Sequence, residues 1–177
     1  MATYDSLNVL VNGVSETLYL QVVDWAAATV TNQSDIGMTY NSRAYLSYSP
    51  TKDPDQYFKP RLLGGYVEYD VDLSQQECNC IAALYAVSMP GKEADGSYHY
   101  TDDFAYCDAN QVGGLWCPEF DLMEANKKSW AAIAHKCDAP NIFGHYSTCD
   151  TSGQCGVSVV KDHYSFGNGP TFTINTE

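Results

Sequence analysis

Glu119, Asp121 and Glu124 put three carboxylates within six residues of chain. Two carboxyl groups held about 5–5.5 Å apart can cleave a glycosidic bond with retention, one as nucleophile and the other as general acid/base. On a regular strand residues 119 and 121 share a face, but 124 lies an odd number of positions further on and points away. A β-bulge at Leu122-Met123, two apolar residues suited to pinning in a core, returns Glu124 to the face of the other two. Asp121 would then sit between the pair, hydrogen-bonding the nucleophile and helping to hold the acid protonated by like-charge repulsion. The bland alternative is a solvated acidic strand in a chain with 22 acidic residues. Spacing alone leaves the two readings even.

Such a strand needs a sheet, and period-two patterning runs through the chain. Leu7, Val9 and Val11 alternate up to Asn12-Gly13, a hairpin turn signal, and Leu18, Leu20 and Val22 alternate after it. Val67, Tyr69, Val71 and Leu73 form one face of a half-buried antiparallel strand whose other face is Tyr66, Glu68, Asp70 and Asp72. Ile81 to Met89 is nearly all apolar and reads as a central strand, ended by Pro90-Gly91 and a polar loop through about residue 103. Phe172 and Ile174 mark one more strand at the C-terminus. Against the β reading stands Trp130-Ala131-Ala132-Ile133-Ala134, which has helical propensity. No interior boundary or repeat is visible. The expectation is one all-β domain over residues 1–177, an antiparallel sandwich with long, cysteine-pinned loops.

Composition narrows the class of function. Apolar residues make up 45% of the 177 and charged residues 18%, so the chain can bury a core. Fourteen tyrosines suit β-structure and flat polar ligands such as sugars. A formal charge of −13 argues against nucleic acid or an anionic membrane as partner, though it also serves plain solubility. No apolar run reaches the length of a bilayer span, so membrane insertion is not expected. Seven cysteines at 78, 80, 107, 117, 137, 149 and 155 lack zinc spacing, and disulfides in an oxidising, extracellular compartment fit better than a metal site. The odd number leaves at least one thiol free or paired with another molecule. Met1-Ala-Thr-Tyr-Asp lacks the basic and apolar regions of a signal peptide, as expected of a mature secreted sequence, or part of one, carrying an added initiator Met.

The stretch Cys117-Pro118-Glu119-Phe120-Asp121-Leu122-Met123-Glu124-Ala125-Asn126 resembles the catalytic strand of glycoside hydrolase family 7, the fungal cellobiohydrolases and endoglucanases. His135 and Cys137 stand where that family has its His-x-Cys. Tyr69 to Gln75 with Ala83 to Met89 is similar to its paired core strands, and Tyr106-Cys107-Asp108 to its Tyr-Cys-Asp turn. Thr148-Cys149-Asp150 and Gly169 to Thr176 are similar to the segment leading into its next long strand. The resemblance runs from about residue 40 to the C-terminus, in a much shortened form.

That resemblance implies a concanavalin A-like antiparallel β-sandwich (jelly roll). It also implies a retaining hydrolase of β-1,4-glucan or mixed β-glucan, acting on polysaccharide or oligosaccharide without metal or organic cofactor. Glu119 would be the nucleophile, Glu124 the acid/base and Asp121 the helper. Tyr85, Asp108 and Asn110 would line the sugar subsites, with His135 near the acid/base. Each has an ordinary alternative: Tyr85 as core, Asp108 as a turn cap, His135 as a structural histidine. The resemblance further implies bridges Cys107–Cys117 and Cys137–Cys149, and leaves Cys78, Cys80 and Cys155 open. His145 and Lys161 stand where arginines are usual, and only Trp25, Trp116 and Trp130 are available for stacking. A second reading is a non-catalytic glycan-binding or structural wall protein on the same sandwich. Three crowded acids that repel one another weigh against it.

Overall fold

The computed structural model describes residues 4–23, 26–51, 53–77, 80–89, 95, 97 and 106–153, and the backbone of 155–158. Nine strands and a 3₁₀ turn make up the regular structure of these residues, with no α-helix among them. They fall into two compact units, divided near Tyr66.

In the first unit β1 (Ser6–Val11) and β2 (Val14–Val22) pair antiparallel through the Asn12-Gly13 turn. Both turn residues have positive φ, 52° and 79°, the requirement that favours Asn-Gly in a two-residue hairpin. The register sets Leu7 opposite Leu18, so the expected apolar alternation becomes one buried row with Leu20. β5 (Ala44–Ser47) adds to the other edge of β2, while β3 (Ala28–Thr31) and β4 (Asp35–Met38) form a separate hairpin. Gln21, wholly buried, donates from Nε2 to the carbonyls of Ser49 and Thr51, tying the loop after β5 to β2. A 3₁₀ turn at Pro54–Gln56, capped by Asp53, follows, and the Tyr57 ring then stacks on Tyr45 at 5.4 Å.

The second unit holds a four-stranded antiparallel sheet in the order β6 (Ala82–Val87), β7 (Glu119–Asn126), β8 (Ser129–His135), β9 (Cys155–Ser158). One face is apolar: Leu73, Met123 and Ala125 are buried there, with Tyr69, Ala82, Leu84 and Trp130 packed around them.

Two sequence expectations are corrected here, and one open stretch is settled. Residues 67–73 form no assigned strand. Leu73 and Tyr69 do join the core, but Val67 and Val71 of the same row stay exposed. Patterning reports which side chains are buried, and a ladder needs a backbone partner as well. The apolar strand β6 stands at the end of the sheet order of the described strands, not at its centre. The alanine-rich stretch around Trp130 is strand β8, joined to β7 by the short Lys127-Lys128 turn, so pairing with β7 overrides helical propensity. The strand expected around Phe172 and Ile174 lies outside the described residues, as do Trp25 and Lys161.

Candidate active site

The bulge expected from the spacing is present. Against β6 the register steps from Leu84↔Met123 to Tyr85↔Asp121, and against β8 from Asp121↔Ile133 to Glu124↔Ala131. β7 therefore carries one residue more than either neighbour between Asp121 and Glu124. Ala131 and Ile133 are two apart and share a face, so Asp121 and Glu124 share one too. Glu119, paired with His135, belongs to the same row. Tyr85, opposite Asp121, completes that row on β6. Met123 and Ala125 point the other way into the apolar cluster and pin the bulged strand.

Burial and hydrogen bonds then differentiate the carboxyls. Asp121 is the deepest, 3% exposed, and its Oδ2 lies 3.1 Å from His135 Nε2. His135 Nδ1 lies 2.7 Å from the Asp150 carbonyl oxygen. A carbonyl only accepts, so Nδ1 carries a hydrogen, and one proton remains to be shared between Nε2 and Asp121. Glu119 Oε2 accepts the Ala109 backbone N–H at 3.1 Å. Burial raises the Glu119 carboxyl above its ordinary range; the Ala109 N–H pulls it back, Asp121 and Asp108 push it further up, and His135 draws it down. Asp121 is raised chiefly by burial, against the opposing pull of His135 and a hydrogen bond with Glu119. Glu124 is raised by burial and then by the charge of Asp121, with only His135 opposing. Among the described residues no backbone donor offsets its burial.

The Tyr106-Cys107-Asp108 turn approaches Glu119 from the loop before β7, clamped by the disulfide Cys107–Cys117. Tyr106 presents its ring edge-on to Tyr85 at 6.5 Å. Asp108 is nearly buried, and Asn110 is exposed at the next position, its N–H donated to Asp108 Oδ1. The structure thus brings Glu119, Asp121, Glu124, Tyr85 and His135 onto one sheet face. Asp108 reaches that face through its turn, and Asn110 sits at the turn's exposed edge.

Several supporting groups escape a reading of residue types. The Ala109 amide and the Asp150 carbonyl are backbone atoms, invisible in the sequence. Asp150 is held by the second disulfide, Cys137–Cys149, and by its N–H donated to the Lys136 carbonyl. Gly153, at φ +71°, lies where a Cβ would overlap Ile133 and approach His135 Cε1 to 3.3 Å. The signal for it was the Asp150-Thr151-Ser152-Gly153 turn composition. Both disulfides implied by the resemblance are formed, and Cys80 is the free thiol among the described residues. Among the described residues no three His, Cys, Asp or Glu side chains are placed so as to hold a metal ion.

No protein-family model matches the chain. Its sequence is 32% identical over 186 residues to endoglucanase EG-1 of Trichoderma longibrachiatum, covering 89% of this chain and 38% of that protein. It is 29% identical over 201 residues to a probable endo-beta-1,4-glucanase celB of Neosartorya fischeri, covering 97% and 47%. The chain therefore spans less than half the length of these curated relatives. Among solved structures, the native Humicola insolens endocellulase EGI superposes with a TM-score of 0.64 at 16% identity, covering 98% of this chain and 64% of that one. A GH7-family cellobiohydrolase from Daphnia pulex gives 0.60 at 18%, covering 98% and 62%. At that identity the likeness shows the fold, the all-β antiparallel sandwich expected from the sequence.

Proposed function

Taking as premise that the chain is a relative of glycoside hydrolase family 7, we propose that it is a retaining hydrolase of β-1,4-glucan or mixed β-glucan. The observation that carries this reading is the β7 bulge, which sets Glu119, Asp121 and Glu124 in one row over a pinned apolar face. A purely solvated acidic strand has no need of a bulge that gathers three acids on one side. In support, the sequence relatives are named endoglucanases, and one solved structure of the same fold, with a TM-score of 0.57, is of an endoglucanase I complexed with cellobiose.

In this reading Glu119 attacks the anomeric carbon while Glu124 donates its proton to the leaving glycosidic oxygen. Glu124 then takes a proton from water as the water oxygen bonds to the anomeric carbon and the bond to Glu119 breaks, which regenerates both carboxyls. The different support of the two carboxyls favours the assignment. Glu119 has a backbone N–H that stabilises its charge, whereas among the described residues no such donor offsets the burial of Glu124, which favours its proton. Asp121, hydrogen-bonded to His135 and to Glu119, orients Glu119, and its charge raises Glu124 while His135 partly opposes it. Tyr85, Asp108 and Asn110 border the subsite for the sugar being transferred. The two disulfides support action outside the cell.

The test is hydrolysis of a soluble β-glucan by the wild-type chain and by Glu119→Gln. The amide keeps size and most hydrogen-bonding capacity, so binding persists while hydrolysis falls by several powers of ten, on the order expected for loss of a covalent step. A wild-type chain that binds glucan without cutting it would overturn the hydrolase reading in favour of a glycan-binding module.

A further inference from the structure

We propose that Tyr106 and Asp108 are positioning residues for Glu119, a buried pair that locks the turn donating the Ala109 N–H to its carboxylate. The proposal deepens the reading above and rests on Glu119 being the nucleophile.

The geometry is a short relay. The Tyr106 hydroxyl, on a side chain 3% exposed, donates to Asp108 Oδ2 at 2.8 Å. Asp108, 5% exposed, uses Oδ1 to accept the N–H groups of Asn110 and Val112, each at 2.9 Å. Three of a carboxylate's roughly four acceptor sites are thereby taken inside the turn. That leaves Asp108 poorly placed to grip a sugar and well placed to hold its own backbone. Its carbonyl accepts the Cys117 N–H at 3.1 Å, and the Cys107–Cys117 bridge closes the same ring of chain. Gly113, at φ +86°, passes so close that a Cβ would meet the Tyr106 carbonyl oxygen at 3.1 Å. Ala109, fully buried, is the one residue between Asp108 and Asn110, and its N–H reaches Glu119 Oε2.

One anchored oxygen restricts rotation of the Glu119 carboxylate, and the N–H favours its charged form over the neutral one. The link from Tyr106 and Asp108 to Glu119 runs through the Ala109 amide. Besides that amide, the charged and titratable groups acting on Glu119 are Asp108 from the turn, Asp121 on β7 and His135 on β8. Releasing the amide removes the donor that opposes burial. The acid limb of kcat/KM, which reports the free enzyme, then moves to higher pH.

Two variants test this. Tyr106→Phe removes one hydroxyl and keeps the ring; Asp108→Asn keeps an oxygen for the backbone and replaces the one that accepts from Tyr106. Both lower kcat on soluble β-glucan roughly 10- to 100-fold, the scale of a small misplacement of a reacting group. KM stays within about a factor of three, and the acid limb rises. A raised KM with unchanged kcat in Asp108→Asn would make Asp108 a sugar ligand and overturn the proposal. The second readout needs no turnover. In amide NMR of the wild-type chain, the Ala109 N–H titrates with Glu119 and exchanges slowly, and both variants speed its exchange. An unchanged Ala109 amide in Tyr106→Phe overturns the proposal whatever the activity. A wild-type chain without hydrolysis, whose Ala109 amide follows Glu119 and is released in Tyr106→Phe, upholds the positioning contact and sinks the nucleophile assignment instead.

Discussion

Glu119, Asp121 and Glu124 are all raised above the ordinary carboxyl range, and burial is the first cause in each. A carboxyl whose pKa is higher folded than unfolded contributes stability that is complete below the unfolded pKa and is lost as pH rises through the folded one. The three acids therefore cost stability near neutrality. Glu124→Gln should raise Tm at neutral pH, and the gain should vanish in acid where wild-type Glu124 is protonated in both states; thermal unfolding at the two pH values checks it. Activity should follow a bell set by the same groups, with Glu119 ionising on the acid limb and Glu124 losing its proton on the alkaline limb. An optimum well above neutrality would contradict the roles, because Glu124 would already be ionised there. Glu124→Gln should spare substrates with good leaving groups far more than natural glucan, since such groups depart without a proton. Equal loss on both substrate types would remove the acid role.

At the scale of the element, the bulge decides which face Glu124 occupies. Its position was legible because Glu119 and Asp121 lie in step while Glu124 does not, and Leu122-Met123 offered apolar anchors. The structure uses Met123 as the anchor and counts Leu122 as the extra residue. In the turn before β9, Gly153 lies against Ile133 and the His135 ring of β8. Gly153→Ala should destabilise the chain by about 1–3 kcal/mol, from positive φ and the overlap with Ile133. It should also shift the His135 ring signals in NMR. Denaturant unfolding measures the first effect, and a variant as stable as wild type would contradict the packing described. Residues 67–73 show the limit of patterning. Their alternation marked Tyr69 and Leu73 for the core, yet nothing in it could specify a hydrogen-bonding neighbour.

At the scale of the molecule, the two disulfides clamp opposite supports of one site. Cys107–Cys117 holds the turn that reaches Glu119, and Cys137–Cys149 holds Asp150 on His135. Each joins residues only 10 or 12 apart, worth about 2–3 kcal/mol in the chain-entropy picture. Reduction should lower Tm and loosen the site before the β1–β2 hairpin, which carries no cysteine. Peptide mapping without reductant should recover both pairs, and a 107–137 or 117–149 link would refute them. With a formal charge of −13, the chain should bind neutral glucan with little salt dependence and leave nucleic acid unbound.

The sequence by itself determined the class of fold, the Asn12-Gly13 hairpin, and the trio with its bulge. Those depend on local alternation, turn residues and spacing, which are properties of neighbours in the chain. The tertiary structure alone decided that Trp130 to Ala134 is strand and that β6 lies at the end of the described sheet order. It also decided what supports the site: the Ala109 amide on Glu119, the Asp150 carbonyl behind His135, and the Tyr106 hydroxyl on Asp108. Two of those three supports are main-chain groups: every residue carries the carbonyl, and every one but proline the N–H. Their direction is set by backbone path and by contacts between segments 10 to 15 residues apart, so no residue letter encodes it.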